Sequence, residues 1–203
     1  MPEHRASGPP DHKERSRAIP PMLETVVSFV NTRNIEAGRE EFHDPQAFAR
    51  WVIGRGLAPT DIRFSHSDLE RAIAVREGIR ALLVANNGEQ DAEDVAAVAA
   101  LEQVAGSLPL RARFTGGRPA GWEPAGELPV DHVLAQLLAT VMTAVADGSW
   151  GRLKACREPG CRWAFYDSSK NRSGIWCSMA VCGNASKQRA FVARRRTARM
   201  VRP

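Results

Sequence analysis

A mainly α fold with a small β-hairpin, in which a helical N-terminal domain precedes a compact C-terminal module, is what this 203-residue chain predicts. Three observations predict it. Apolar residues recur at helical spacing in five segments between residues 22 and 145. One Gly- and Pro-rich stretch, SLPLRARFTGGRPAGWEPAGELP, interrupts them. All four cysteines fall between residues 156 and 182, ahead of a run of arginines.

Residues 1–20 mix charged residues with prolines and little apolar content, so a disordered leader is expected there. The helical domain then runs over residues 21–150. Leu23, Val26, Val27 and Val30 stand at i, i+3, i+4 and i+7, one face of a short helix that ends near NTRN. Asp44 before Pro45 is an N-cap followed by the residue best tolerated at the first helical position, and Phe48, Trp51 and Val52 follow before Gly54 and Gly56. Ser67 with Glu70 reads as a capping box ahead of Ile73, Ile79, Leu82 and Leu83, a helix stopped by NNG. Asp91 opens a fourth helix with Val95, Val98, Leu101 and Val104. In the interruption, LRARF alternates apolar and charged residues as an exposed strand does, and a hairpin is expected. Leu134, Leu137, Leu138, Val141, Met142 and Val145 trace the last helix, ended by DG.

Composition bounds the function. The chain is 43% hydrophobic, enough for a core, and no run approaches the roughly 18 consecutive apolar residues of a membrane span. No secretion signal is read at the start, so a cytoplasmic protein without a membrane partner is expected. The formal charge of +5 is unevenly placed. Residues 151–203 hold 13 Lys and Arg against 2 Asp and Glu, net +11, while residues 1–150 hold the other 15 and 21, net −6. A polyanionic partner for the C-terminal segment follows.

The second part, residues 151–203, is built on Cys156, Cys161, Cys177 and Cys182. Each pair is separated by four residues and the pairs by fifteen, the arithmetic of one tetrahedral site with four sulfur ligands. An iron–sulfur cluster or a redox dithiol pair is the alternative chemistry, though neither needs such regular turns. Four sulfurs leave no open position for water, so a single Zn2+ would be structural. Glu158-Pro159-Gly160 is a turn sequence, Gly183 permits a close backbone approach, and Asn184 is a good cap for a helix from Ala185. RWAFYD, the turn SSKNRSG and the following IW read as a hairpin between the cysteine pairs. The whole is a zinc-stapled ββα module, treble-clef-like, in which the metal supplies stability that about fifty residues cannot.

Behind it, NASKQRAFVARRRTARMVR reads as a basic helix without a broad apolar face. Phe191 and Val192 are expected to dock it on the zinc module. Lys187, Gln188, Arg189, Arg194, Arg195 and Arg196 are then candidates to meet duplex DNA, phosphates for the cations and base edges for Gln188 or Arg189. Lys170 and Arg172 in the hairpin turn extend the same surface.

At DSSKNRSGIWCSMAVCGNASK the chain resembles the CGNR zinc-finger family, whose second cysteine pair continues as Cys-Gly-Asn-Arg. Cys182, Gly183 and Asn184 match, and Ala185 stands where the family has arginine. FVNTR and FARWV resemble the helical ABATE domain that accompanies this finger. The resemblance implies a bacterial stress-responsive transcription regulator with a DNA-binding finger and a regulatory domain that senses a small-molecule or protein signal, or forms a homodimer. Asn31, Thr32 and Trp51 are the candidate ligand-binding residues it points to, although polar caps and a core aromatic explain them as well. The competing reading is a zinc-stabilised finger that contacts protein or RNA without duplex specificity. His43, His66 and His132 show no catalytic spacing, so no enzyme is expected.

Overall fold

A computed structural model describes residues 19–88 and 90–200, with the side chains of Pro119 and 196–200 outside the description. Most of the leader expected over 1–20 therefore lies outside the described residues. Ile19 already packs against the core.

Helix α1 (Pro21–Asn31) starts at a proline and buries Leu23, Val26, Val27, Phe29 and Val30. Its last turn closes on Thr32, whose hydroxyl donates to the Phe29 carbonyl at 2.7 Å. Strands β1 (Arg33–Asn34) and β2 (Arg39–Glu40) form a short antiparallel ladder. Helix α2 (Pro45–Gly54) is capped by Asp44, which accepts the Ala47 N–H at 2.6 Å.

Helix α3 (His66–Ala85) corrects the expected cap. Its box is Ser65 with Asp68, two residues before Ser67 and Glu70. The earlier start puts Phe64 and Leu69, both packed into the core cluster, at the two ends of a hydrophobic staple. A cap at Ser67 would put His66 and Arg71 there instead.

Helix α4 (Ala92–Ala105), with its own Asp91/Asp94 box, crosses α3 at Gly78, where an added Cβ would stand 2.3 Å from the Leu101 Cβ. Of the expected α4 stripe, Leu101 is buried and Val95 is 60% exposed, because the face turned to α3 runs through Asp94 and Leu101. Strands β3 (Leu110–Thr115) and β4 (Arg118–Pro124) form the exposed hairpin that LRARF suggests, turned by Gly116 and Gly117, both at positive φ.

Helix α5 (Pro129–Ala146) is long and apolar enough to cross a membrane by length and composition. Here it places Val130, Val133, Leu134, Leu137, Val141 and Ala144 in the core, packed on α1 and α3.

The hairpin of the C-terminal segment differs from the expected one. Strand β6 (Ala164–Tyr166) pairs antiparallel with β5 (Leu153–Ala155), upstream of the first cysteine, and not with the IW segment. The first cysteine turn is thus the hairpin loop. The returning Ile175 instead lies beside that turn, its carbonyl accepting the Arg157 N–H at 3.0 Å. The reason is burial: Leu153, Ala155 and Ala164 belong to the main hydrophobic core with the five helices.

Polar side chains of the helical part then satisfy the hairpin backbone. Asn31 exchanges two hydrogen bonds with Ala164, at 2.9 and 2.8 Å, as another strand would. Asn86 donates to the Trp150 and Leu153 carbonyls, and Asn87 to those of Ala155 and Ile175. The core therefore runs across the boundary placed at residue 150.

A buried ion pair braces the loop beyond β6. Lys154 Nζ stands 2.8 Å from Asp167 Oδ2 and also donates to the Arg172 and Gly174 carbonyls. Burial alone would raise the Asp167 pKa, but the Lys154 ammonium, with Ser169 and the Gly174 amide, outweighs it and holds the carboxyl at about 2. A folded pKa below the unfolded 3.8 stabilises the fold above that value and is lost as pH falls from 3.8 towards 2. Wild type is expected to exceed Asp167→Asn by about 2 kcal/mol in urea unfolding at pH 6. The difference should close near pH 2; a gap independent of pH would reject the ion pair as its source.

Candidate metal centre

The first cysteine turn follows β5. Cys156 N–H donates to the Trp163 carbonyl at 2.9 Å, and the N–H groups of Cys161 and Arg162 converge on the Glu158 carbonyl. Arg162 takes a left-handed backbone, φ 48°, to leave the turn. The second pair sits where the chain enters a helix. Ser178 accepts the Val181 N–H at 3.3 Å, a π-helical turn carries Met179–Gly183, and α6 (Asn184–Met200) continues from it.

Gly183 is required by contact rather than by φ, since a Cβ there would meet the Met179 sulfur at 2.5 Å and Trp176 at 3.1 Å. Asn184 is not the expected cap. It lies in the first helical turn and donates from Nδ2 to the Ala180 carbonyl at 3.1 Å.

These two turns bring all four sulfurs within 4.8 Å of one another. Cys161 and Cys177 are 3.6 Å apart, Cys177 and Cys182 3.7 Å. Zinc–sulfur bonds of about 2.3 Å in a tetrahedron require edges of about 3.8 Å, whereas a disulfide requires about 2.05 Å. The geometry fits one ion.

The charges fit it too. Hydrogen bonds from Cys161 and Cys177 pull the Cys156 thiol down to about 2. The same bonds, burial and the charge on Cys156 push Cys161 and Cys177 up, and burial followed by that charge raises Cys182. Four sulfurs this close repel one another as thiolates, and a dication among them offsets that repulsion. Phe165, Trp163, Trp176 and Val181 enclose the sulfurs, and no histidine or carboxylate joins the group among the described residues. With its four positions filled by sulfur, the site is that of a single structural zinc.

Among the candidate nucleic-acid contacts, Lys187, Gln188, Arg194 and Arg195 are exposed along α6. Arg195 lies 5.7 Å over the Phe191 ring. Arg189 is paired with Glu158 of the first cysteine turn. Lys170 and Arg172 are exposed on the loop that Asp167 and Lys154 brace, and the Arg196 side chain lies outside the described residues.

Phe191 and Val192 do not dock on the module, being 53% and 42% exposed. On α6 it is Arg189, paired with Glu158, that meets the module.

Asn31 and Thr32 are occupied with structural bonds, Asn31 to β6 and the Thr32 hydroxyl donating to the Phe29 carbonyl and accepting from Arg76. Trp51 packs with Phe29 and Phe42 under the Arg55 guanidinium and lines an open surface pocket of about 450 Å³ beside Arg39, His43 and Arg50. His43 lies in the loop before α2, His66 opens α3 and His132 is in α5.

Sequence reasoning missed Arg76 and Arg80. Both are 2% exposed, and Arg80 donates to the carbonyls of Val30, Arg33 and Arg162 and to Glu77. The signal was present: Leu69, Ala72, Ile79 and Leu83 make a stripe on which positions 76 and 80 are arginine.

Two family models match the chain. The CGNR zinc finger covers residues 152–195, and ABATE, described as "Putative stress-induced transcription regulator", covers residues 23–148. No curated protein matches it.

Proposed function

Because the chain belongs to the ABATE family and carries a CGNR zinc finger, we propose that it is a DNA-binding transcription regulator whose zinc-held helix α6 lies on duplex DNA. The observation that carries this reading is α6 itself. It leaves the zinc site with Lys187, Gln188, Arg194 and Arg195 exposed, in a segment of net +11. Zinc supplies no reaction here; it fixes where the helix starts. Arg196 and the loop cations Lys170 and Arg172 complete the proposed surface.

The helical domain would sense a signal, as a small molecule or a partner protein, or would form a homodimer. A cavity of about 360 Å³ supports a ligand between the start of α4 and the first cysteine turn. Asn87, Asp91, Arg157, Pro159 and Arg162 line it, so an occupant would touch both halves of the molecule. Cytoplasmic location accompanies this role.

The exposed Phe191 and Val192 favour a second reading, a finger that binds a protein partner. Salt separates the two. Duplex affinity of the zinc-loaded chain is expected to fall linearly on a logarithmic salt axis, with a slope of about −0.9 per phosphate neutralised. Replacing Arg194, Arg195 and Arg196 together with glutamine should flatten that slope by about one to three such steps. An unchanged slope would move the DNA surface elsewhere, and no duplex affinity at low salt would leave the protein-binding reading.

A further inference from the structure

We infer that Glu158 and Arg189 form a latch that sets the direction of α6, which makes Arg189 a positioning residue and not a contact to phosphate or base. The inference concerns the same helix as the proposed function, and its main readout needs no DNA.

Four zinc–sulfur bonds fix where the two cysteine turns meet but leave the helix beyond them free to pivot, since rotation about the Cβ–S and S–metal bonds is soft. Direction requires a second point of attachment, away from the ion. Arg189 stands five positions past Asn184, about 7.5 Å along the helix, which is the lever arm such an attachment needs. Its guanidinium pairs with Glu158, in the turn between Cys156 and Cys161, so the pair joins the α6 side of the site to the opposite side.

That opposite side is itself anchored. The neighbouring Arg157 donates from Nε and from its terminal nitrogen to the Asn87 carbonyl after α3, and from its backbone to Ile175. The helical domain, Arg157, Glu158 and Arg189 thus make one continuous fastening to α6.

Charge placement agrees. Residues 151–203 contain two acidic residues, and Asp167 is engaged by Lys154. Glu158 is therefore the carboxylate this segment has left for its arginines, and its side chain is 17% exposed against 57% for Arg189. A carboxylate sheltered in the turn and met by an arginine from the helix holds a pose. The same carboxylate would repel a phosphate brought to Arg189.

The test is a charge reversal in the zinc-loaded full chain. Spin labels carried by non-natural amino acids at the exposed positions Ala99 on α4 and Ala190 on α6 leave the cysteines untouched, and pulsed electron resonance reads the distance distribution between them. Arg189→Glu or Glu158→Arg alone should broaden the distribution at least about twofold, and Arg189→Glu should also weaken duplex binding about three- to fivefold. The combined variant keeps the net charge of the segment, and should restore the narrow distribution and bring affinity back within about twofold of wild type.

Single variants as narrow as wild type would overturn the latch, and so would a double variant that stays broad. If the reversed residues lower zinc below one per chain, Arg189→Gln and Glu158→Gln replace them: broadening in both supports the latch, and broadening in neither overturns it. Should the wild-type chain bind no duplex at all, the proposed function fails while the distance widths still decide the latch.

Discussion

Cys177→Ser is expected to empty the metal site in the presence of a competing chelator, releasing the one zinc per chain and with it the fixed pose of α6. Structural zinc in small fingers contributes about 10–16 kcal/mol of apparent binding free energy at neutral pH, so losing a ligand there outweighs most single contacts. What the loss should spare is as informative. From sequence alone, all of residues 151–203 would be expected to unfold without the metal. The packing divides the segment differently: β5 and β6 place Leu153, Ala155 and Ala164 in the main core and are hydrogen-bonded by Asn31, Asn86 and Asn87. In α6, by contrast, the described side chains from Lys187 to Arg195 are exposed.

Hydrogen exchange should therefore show the α6 amides lose protection while those of β5 and β6 keep it. Zinc retained at one per chain would reject the four-sulfur assignment. Equal loss of protection in β6 and α6 would show that the metal holds the hairpin as well.

Arg80→Met is expected to destabilise the whole fold by about 3–5 kcal/mol, read as a fall in the urea midpoint and of roughly 10 °C in melting temperature. The side chain is 2% exposed, and burial pulls its pKa below the ordinary arginine value while Glu77 opposes that pull. Its nitrogens reach Val30 at the end of α1, Arg33 in β1 and Arg162 after the first cysteine turn. Methionine fills similar space but leaves three carbonyls and one side of Glu77 without their donor. Arg111→Met makes the contrast. Its partner is Glu123 on the exposed hairpin, with 68% and 36% of the two side chains exposed, and a change within about 0.5 kcal/mol is expected. A cost below about 1 kcal/mol for Arg80→Met would mean that water takes over its carbonyls, and that the junction is not the fixed joint described here.

The parts of this molecule that sequence determined are the parts set by neighbours in the chain. Asp44-Pro45 and Asp91 cap the helices they precede, the Gly116-Gly117 turn closes the hairpin at LRARF, and two equal cysteine spacings name four ligands, because each depends on a few consecutive backbone angles. Ser65 against Ser67 shows the limit of that reasoning, since both spell a cap and the choice fell to whether Phe64 and Leu69 reach the core.

Tertiary structure alone decided the rest. Strand β6 chose β5, α6 was tied back to the first cysteine turn, and Arg80 went inside, each through a contact between residues far apart in sequence: 133 positions between Asn31 and Ala164, 31 between Glu158 and Arg189, 82 between Arg80 and Arg162. Such partners are selected by which surfaces meet once the helices have packed, and no local pattern carries that information.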